Sequence, residues 1–312
     1  MSARAVLSAL FLLIFCGSAF AQNLRVAVIS DLNGSYGSTR YSPHVAAAVD
    51  RIIALAPDLV ISTGDMVAGQ RRPVLSEPEV RAMWEAFHAE VTEPLNRAGI
   101  PLVVTPGNHD ASAYGGFEAE RAIFAEQWRA MKPMLDYIDD GDYPFFYAFE
   151  MGGVRFASLD ATTLGSLRGD QVNRLSKAMK GSATAVTFSH LPLWPFAQSR
   201  EREIIGDPAL EALYHKLDVD LHLSGHHHAF YPGWKDGVAY VSQACLGGGT
   251  RVLIGDTVRS ERSFTILEFG TEGLRSLQAY KGPDFRELLD QTSLPPQVIS
   301  PKATLQRLDL VK

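Results

Sequence analysis

Five short apolar runs, each ending in polar residues, constrain the fold of this chain more than any other feature. They read LRVAVISDLN, DLVISTGD, PLVVTPGNHD, ATAVTFSH and VDLHLSGHHH. Helical periodicity follows the first two runs, in SPHVAAAVDRIIALAP and from Glu77 to Ala98, with Ser76 as a cap and Gly99 as the stop. Strands that alternate with helices predict a mostly parallel sheet with helices packed against it.

The second half of the chain predicts a second sheet. After a helix near Phe117 to Met131, the stretch FFYAFEMGGVRFASLD places Gly152 and Gly153 between two apolar runs, which is a hairpin pattern. The stretches GVAYVSQA, SFTILEF and LRSLQAY are typical of a closing set of antiparallel strands. No internal repeat or linker divides the chain, so one core with two sheets is the simplest interpretation.

The two ends of the chain differ from the rest. Residues 1–21 combine Arg4, an apolar stretch and the small-residue sequence AFA, which predicts a cleaved signal peptide and a secreted or periplasmic protein with no membrane span after cleavage. An uncleaved anchor helix is the alternative, although the apolar run is short for a membrane span. After cleavage Cys245 is the one cysteine, and we expect a buried thiol rather than a nucleophile. The tail, 282–312, is interrupted by prolines and has no assigned role.

The net charge of the chain limits the classes of binding partner that we expect. The 312 residues carry a formal net charge of -6, so no basic surface for general nucleic-acid binding or electrostatic membrane anchoring is expected. A small-molecule ligand is the better expectation, and the oligomeric state stays open.

Polar residues stand at the end of every one of the five runs. In open α/β sheets the ligand crevice lies outside the carboxyl ends of the strands, so the fold itself gathers these side chains at one rim. The set comprises Asp31, Asn33, Asp65, Asn108, His109, Asp110, His190, His226, His227 and His228. Carboxylate, amide and imidazole donors without a thiolate suit zinc, manganese or iron. A metal centre is therefore predicted.

Each of these residues has a simpler interpretation when taken alone. Asp31 or Asp65 can cap a helix, Asn108 can shape a turn, and a single histidine is more often structural than ligating. The sequence GHHH can also form a polar surface loop. The ordered recurrence of ligand-type residues at five strand ends favours the joint interpretation.

The blocks SDLN, GD, GNHD, SH and GHHH resemble the calcineurin-like metallophosphoesterase superfamily, whose pattern is D-x-H, G-D, G-N-H-D/E, H and G-H-x-H. The resemblance covers about residues 24–270, within a domain expected over 22–281. It implies an αββα sandwich, an α/β fold in which helices flank two mixed sheets, with two divalent metal ions (Mn, Fe or Zn) at one rim.

The resemblance also implies roles for the residues of this chain. Asp65 bridges the two ions and His227 is the variable position. Ligands of one ion are then Asn108, His190 and His226, and ligands of the other are Asp31 and His228, with Asn33 in place of the family histidine. His109 is expected to assist the leaving oxygen, and Asp110 either orients His109 or caps the helix that follows.

Two local arguments accompany these roles. In an extended segment alternate residues face opposite sides, so His226 and His228 face the metals together while His227 points away. Asn33 is a weaker donor to zinc-like ions than imidazole and suits harder ions such as manganese. His44 is a candidate substitute ligand.

Three further features are candidates for substrate contact. Arg71 and Arg72 follow Asp65, and guanidinium groups suit phosphate. The stretch LGGGTR, 246–251, lacks the lysine of a P-loop and is interpreted as a mobile loop near the site. Trp194 and Phe196 either stack on a base or sugar or cover the core.

These observations predict an exported, metal-dependent hydrolase that acts on a small-molecule phosphoester substrate. Monoesters and diesters both remain open, and a nucleotidase is less favoured because no large additional C-terminal domain is visible. One alternative is a metal- or phosphate-binding pseudoenzyme whose dinuclear site is incomplete at Asn33. The other is a structural or partner-binding exported domain whose polar strand ends are coincidental.

Overall fold

The computed structural model describes residues 23–311. The predicted signal peptide, 1–21, lies outside the described residues. Within 23–311 no helix combines the length and the apolar character that a membrane span requires.

Residues 23–311 contain fifteen strands and seven α-helices. The strands are β1 (Leu24–Ile29), β2 (Leu59–Ser62), β3 (Leu102–Val104), β4 (Asp136–Asp142), β5 (Phe146–Met151), β6 (Val154–Leu159), β7 (Ala185–Ser189), β8 (Leu221–Ser224), β9 (Tyr231–Lys235), β10 (Val238–Ser242), β11 (Ser263–Gly270), β12 (Gly273–Lys281), β13 (Glu287–Leu288), β14 (Gln297–Ile299) and β15 (Thr304–Arg307). The helices are α1 (Pro43–Leu55), α2 (Glu77–Phe87), α3 (Glu93–Arg97), α4 (Asn108–Ala111), α5 (Glu118–Ala130), α6 (Gln171–Ala178) and α7 (Pro208–Lys216).

The strands form two mixed sheets. The six-stranded sheet has the order β13-β12-β11-β1-β2-β3, and the nine-stranded sheet has the order β14-β15-β9-β10-β8-β7-β6-β5-β4. Strands β1, β2 and β3 are parallel, as are β6, β7, β8 and β10. Helices flank the sheets, so the predicted α/β sandwich of two mixed sheets is confirmed.

Helix ends follow the local signals of the sequence. Ser42 accepts a hydrogen bond from the backbone of α1, and Pro43 occupies its first position. Ser76 and Glu79 form a capping box at the start of α2. The single helix expected up to Ala98 consists of α2, one π-helical turn and α3, and Gly99 follows it with a φ of 73°.

The two sheets meet face to face through side chains of both. Phe156 on β6 packs edge-to-face against Phe269 on β11, with ring centres 6.2 Å apart. The hydroxyl of Tyr147 on β5 donates to the carbonyl of Val104 at 2.6 Å and accepts from its N–H at 3.0 Å. These two hydrogen bonds come from the opposite sheet and pair the backbone N–H and carbonyl of Val104 at the free edge of β3.

The structure corrects the expected strand set near the end of the chain. Strand β10 runs parallel to β8 in the nine-stranded sheet, whereas β11 and β12 are antiparallel neighbours in the other sheet. Sequence reasoning also missed β4, an exposed edge strand of sequence DYIDDGD that has no apolar run. The segment left without an assigned role adds strands to both sheets, because β13 pairs with β12 and β15 pairs with β9.

Candidate metal centre

The predicted polar residues gather where the carboxyl ends of β1, β2, β3, β7 and β8 meet. Backbone hydrogen bonds join the loops that carry them. The N–H of Asp31 donates to Gly64 O at 3.0 Å, and the N–H of His226 donates to Asp31 Oδ2 at 3.0 Å. Loops from both sheets are therefore fixed to one another, in part through the Asp31 carboxylate.

His190 lies at the middle of the first cluster. Its Nδ1 lies 2.8 Å from the carbonyl oxygen of Thr63, which accepts the ring proton and leaves a lone pair on Nε2. That Nε2 lies 3.0 Å from Asn108 Oδ1, 3.2 Å from His226 Nδ1 and 3.3 Å from Asp65 Oδ2.

The neighbours of His190 are oriented in the same way. The side-chain nitrogen of Asn108 donates to Gln70 Oε1, which turns the amide oxygen toward His190. His226 Nε2 donates to Glu203 Oε2 at 2.8 Å, so its Nδ1 also presents a lone pair. Four lone pairs therefore converge, and a cation among them is the arrangement that makes all four favourable.

A second cluster lies around Asp31. His228 Nδ1 donates to Gly249 O at 2.9 Å, and its Nε2 lies 2.9 Å from Asp31 Oδ1. That carboxylate oxygen is buried and faces His228 alone, whereas Oδ2 accepts from Ser30 Oγ at 2.6 Å. Asn33 donates its side-chain nitrogen to Val67 O at 3.3 Å. A buried carboxylate oxygen whose one polar neighbour is an imidazole nitrogen fits a ligand pair for a metal ion.

The pKa values of the clustered histidines are shifted by burial and by the neighbouring carboxylates. Burial disfavours the charged imidazole of His190, but Asp65 and Asp31 outweigh burial and raise its pKa to about 9. Burial also opposes charge on His228, yet Asp31 raises its pKa to about 10. Burial lowers the pKa of His226 to about 4. In the protein alone, protons on His190 and His228 supply the positive charge that the donor set requires. The mixed oxygen and nitrogen donors suit zinc, manganese or iron.

Backbone strain marks four of the candidate ligands. Asp31, Asp65, His226 and His228 have φ angles of 51°, 55°, 63° and 49°. Non-glycine residues rarely adopt this left-handed region, and such conformations cost about 1–3 kcal/mol each. They recur here at the residues expected to bind metal, which is where stored strain has a functional use.

Gly107 and Gly225 permit the close approach of the loops. A Cβ on Gly107 would lie 2.1 Å from the backbone nitrogen of Asp65, and a Cβ on Gly225 would lie 2.1 Å from Ser30 Oγ. Neither contact is sterically possible, so these positions require glycine for packing.

His109 faces the cavity beside the first cluster. Its Nδ1 lies 2.7 Å from Gly69 O, and its Nε2 is 4.0 Å from Asp65 Oδ2. Its backbone N–H donates to Asp65 Oδ1 at 2.9 Å. The ring is fixed through Nδ1, and Nε2 is left to exchange a proton with a ligand in the cavity.

Asp110 does not orient His109, which corrects one of the two roles expected for it. Its Oδ1 accepts from the backbone N–H groups of Met66 and Val67, both at 2.8 Å, and its Oδ2 accepts from Gly107 at 3.0 Å. Burial and the neighbouring Asp65 carboxylate raise its pKa to about 7. Asp110 therefore links the loop after β2 to the start of α4. The Gly69 carbonyl, and not Asp110, is the partner that orients His109.

His227 points away from both clusters, as expected, but for a different reason. Its Nδ1 accepts from the N–H groups of Phe196 and Ala197 at 3.1 and 3.3 Å, and its Nε2 donates to Glu203 O at 3.1 Å. The segment is not extended, since His226 and His228 are both left-handed. Alternation along a strand therefore does not explain which rings face the site.

Other candidates lie elsewhere. His44 is on α1 and packs edge-to-face on Phe285, with ring centres 6.5 Å apart, so it is not the substitute ligand. Arg72 lies over the ring of Phe117 and outside the cavity. Trp194 donates to Glu211 at 2.9 Å and is buried, which favours the core-covering interpretation. Cys245 is a buried free thiol.

A cavity of about 260 Å³ opens beside the clusters. Its lining comprises Asn33, Gly34, Ser35, Tyr36, Asp65, Ala68, Gly69, Arg71, His109, His226, His228, Gly248 and Arg251. Arg71 and the end of the LGGGTR stretch therefore reach the site. Sequence reasoning missed Tyr36, Glu203 and Gln70, because no local pattern distinguishes them from ordinary loop residues.

Known proteins share this architecture. A family model described as calcineurin-like phosphoesterase matches residues 24–230. No curated protein sequence matches the chain significantly. The structure of purple acid phosphatase PPD1 from yellow lupin (Lupinus luteus) seeds is similar with a TM-score of 0.64 and 17% identity, covering 86% of this chain and 53% of the lupin chain. This chain thus spans about half the length of the lupin protein.

Two further solved structures are similar. A dimetal phosphatase from Danio rerio has a TM-score of 0.56 and 16% identity, covering 85% of this chain and 98% of that chain. A structure of PhoD has a TM-score of 0.61 and 13% identity, covering 86% of this chain and 71% of that chain. At such identities the likeness establishes the fold.

Proposed function

This chain belongs to the calcineurin-like phosphoesterase family, and from that premise we propose that it hydrolyses small phosphate esters with two divalent metal ions. The observation that carries the proposal is the set of four lone pairs that converge around His190 Nε2. Neutral side chains in a purely structural cluster would pair donors with acceptors, whereas these four atoms require a positive charge among them, either a proton or a metal ion.

Residues of this chain would hold the ions in two groups. Asn108, His190 and His226, with Asp65, form the first group, and Asp31 and His228 form the second. Asn33 lines the cavity beside the second group and is its proposed neutral oxygen donor. When bound, divalent ions at such sites act as Lewis acids that polarise phosphoryl oxygens and activate water for in-line displacement.

His109 is the proposed catalytic residue of the protein itself. The Gly69 carbonyl fixes its Nδ1, so a proton carried on Nε2 is directed into the cavity. Asp65 Oδ2 lies 4.0 Å from that nitrogen. His109 would give this proton to the leaving oxygen as a general acid. Arg71, which lines the same cavity, would hold a non-bridging oxygen by charge.

The test is hydrolysis of an aryl phosphomonoester and an aryl phosphodiester, with manganese or zinc added and with chelator as control. We expect turnover that chelator abolishes and that His190→Ala lowers by at least about 100-fold, since even partners outside the ligand set cost 10- to 100-fold. Turnover that chelator leaves unchanged would refute the metal role. Bound metal without hydrolysis of either ester would favour the phosphate-binding alternative.

His109→Ala separates proton transfer from metal binding. We expect a loss of about 100-fold or more in kcat with unchanged metal content. The loss should be smaller for an ester with an acidic leaving group, because such a group departs without a proton. A uniform loss across leaving groups would show that His109 acts only by holding the loop.

We also propose export, on the basis of the sequence of residues 1–21. The test is the mass of the protein recovered from a host that recognises bacterial-type signals. We expect a mature chain that starts near Gln22 outside the cytoplasm, and an uncleaved chain in the cytoplasm would contradict export.

A further inference from the structure

Arg251 is held at the cavity by the same loop that carries the candidate histidine ligands. Its Nη1 donates to the carbonyl of His226, and its backbone N–H donates to the carbonyl of His228 at 3.2 Å. The side chain is partly buried and lines the cavity. Arg251 is therefore fixed in position relative to both metal-ligand clusters.

The guanidinium of Arg251 forms no ion pair with the residues that the structure describes, although Asp31 and Glu203 attract it from a greater distance. Among residues 23–311, no carboxylate oxygen lies within 4.0 Å of its guanidinium, whereas neighbouring Arg200 is paired with Glu203. Burial, followed by repulsion from Arg200, lowers the pKa of Arg251. Partial burial of an unpaired cation is costly, and a bound anion in the cavity would offset that cost.

Arg71 provides a second unpaired guanidinium in the same cavity. It lies over the ring of Tyr36, with 5.9 Å between the guanidinium carbon and the ring centre, and the Tyr36 hydroxyl donates to Arg71 O at 3.1 Å. Arg71 also forms no ion pair with any carboxylate of the described chain. Two free guanidiniums thus line a cavity of about 260 Å³.

We propose that Arg251, together with Arg71, binds the non-ester oxygens of a phosphomonoester dianion and makes the site selective for monoesters over diesters. The inference rests on the proposed function. A monoester carries a charge of nearly two near pH 7 and has three non-ester oxygens, whereas a diester carries one charge and a second substituent. Guanidinium forks match paired phosphate oxygens.

Arg251→Met and Arg251→Lys test the proposal, with Arg259→Met as the matched control. Arg259 is an exposed arginine on the same loop that donates to Thr250 O and does not line the cavity. The measurements are kcat and KM for an aryl monoester and an aryl diester, metal content, and inhibition by inorganic phosphate.

We expect wild type to prefer the monoester. Arg251→Met should lower kcat/KM for the monoester by about 10- to 100-fold, as expected for loss of a charge-assisted hydrogen bond. The change should appear mainly in KM, phosphate inhibition should weaken by a similar factor, and the diester should change by less than about threefold. Arg251→Lys should recover part of the loss, and Arg259→Met should match wild type.

Equal losses for both esters, or a loss of metal from Arg251→Met, would overturn the proposal, because Arg251 would then act only by holding the His226 carbonyl. A wild-type preference for the diester would overturn it as well. If wild type hydrolyses neither ester, the proposed function fails, and calorimetry with inorganic phosphate decides this inference separately. Phosphate binding that Arg251→Met weakens supports the anion site, and equal binding by both proteins refutes it.

Discussion

His227→Leu should destabilise the protein strongly, although His227 is not expected to bind metal. The ring is fully buried and serves three backbone groups: the N–H groups of Phe196 and Ala197 and the carbonyl of Glu203. Leucine fills a similar volume and excludes water, so all three groups would lose their partner. Each unsatisfied buried group costs about 1–3 kcal/mol, and two of the three groups share one acceptor. We therefore expect the free energy of unfolding to fall by about 3–5 kcal/mol.

The matched control is His226→Leu. The ring of His226 contacts Glu203 and His190 through side chains only, and its removal relieves the crowding of lone pairs. We expect its free energy of unfolding in chelator to stay within about 1 kcal/mol of wild type, as for most changes that leave no buried backbone group unpaired.

Urea unfolding of metal-free protein, followed by tryptophan fluorescence, measures both variants. A loss of 3–5 kcal/mol lowers the midpoint by about 1–2 M for an m-value near 3 kcal/mol/M. Equal midpoints for His227→Leu and wild type would refute the structural role of His227. Equal destabilisation by both variants would refute the distinction between the adjacent histidines.

Four further changes test separate parts of the structure. Glu203→Ala removes the acceptor of His226 Nε2 and should weaken metal affinity by about 10- to 100-fold in a metal titration, with little change in Tm; unchanged affinity would contradict this role. Asn33→His should tighten the weaker metal site, and an unchanged titration would show that Asn33 is not a ligand. Burial lowers the pKa of His222 to about 3, whereas the unfolded chain takes up a proton at this residue near pH 6.5. The contribution of His222 to the free energy of unfolding should therefore fall by about 1.5 kcal/mol between pH 6.5 and 5, and His222→Gln should flatten the slope in urea titrations. Gly107→Ala places a Cβ 2.1 Å from the nitrogen of Asp65 and should cost about 3 kcal/mol or more in thermal unfolding, whereas an unchanged Tm would show that the loops can separate.

The fold was predictable because its signals are local. Apolar runs that end in Asp65 or His190 form strands whose carboxyl ends face the same rim, and parallel pairing then brings their loops together. Strand β4 was not predictable, since its sequence is polar and it exists only because β5 offers a free edge. The place of β10 depends on its pairing with β8, which no local pattern encodes.

The residues that support the site were less predictable than its candidate ligands. Asp110 stands where a partner for His109 is expected, yet its Oδ1 accepts from backbone groups more than forty residues earlier in the chain. Glu203 and Arg251 reach the site from loops whose course depends on both sheets. Long-range contacts of this kind leave no spacing pattern in the sequence.

The three adjacent histidines show how hydrogen bonding assigns roles that sequence leaves equivalent. Each ring has two nitrogens, and the number already paired outside the two clusters determines what remains. Both nitrogens of His227 have backbone partners, so no lone pair is left for a ligand. In His226 and His228 one nitrogen donates, to Glu203 and to Gly249, and the other faces a further acceptor, His190 Nε2 or Asp31 Oδ1. Such facing acceptors require a positive charge between them, which a proton supplies in the protein alone and a metal ion would supply when bound. The same pairing therefore predicts different responses to metal. Added ions should raise the unfolding midpoint of His227→Leu by as much as that of wild type, and should raise the midpoint of His226→Leu by less.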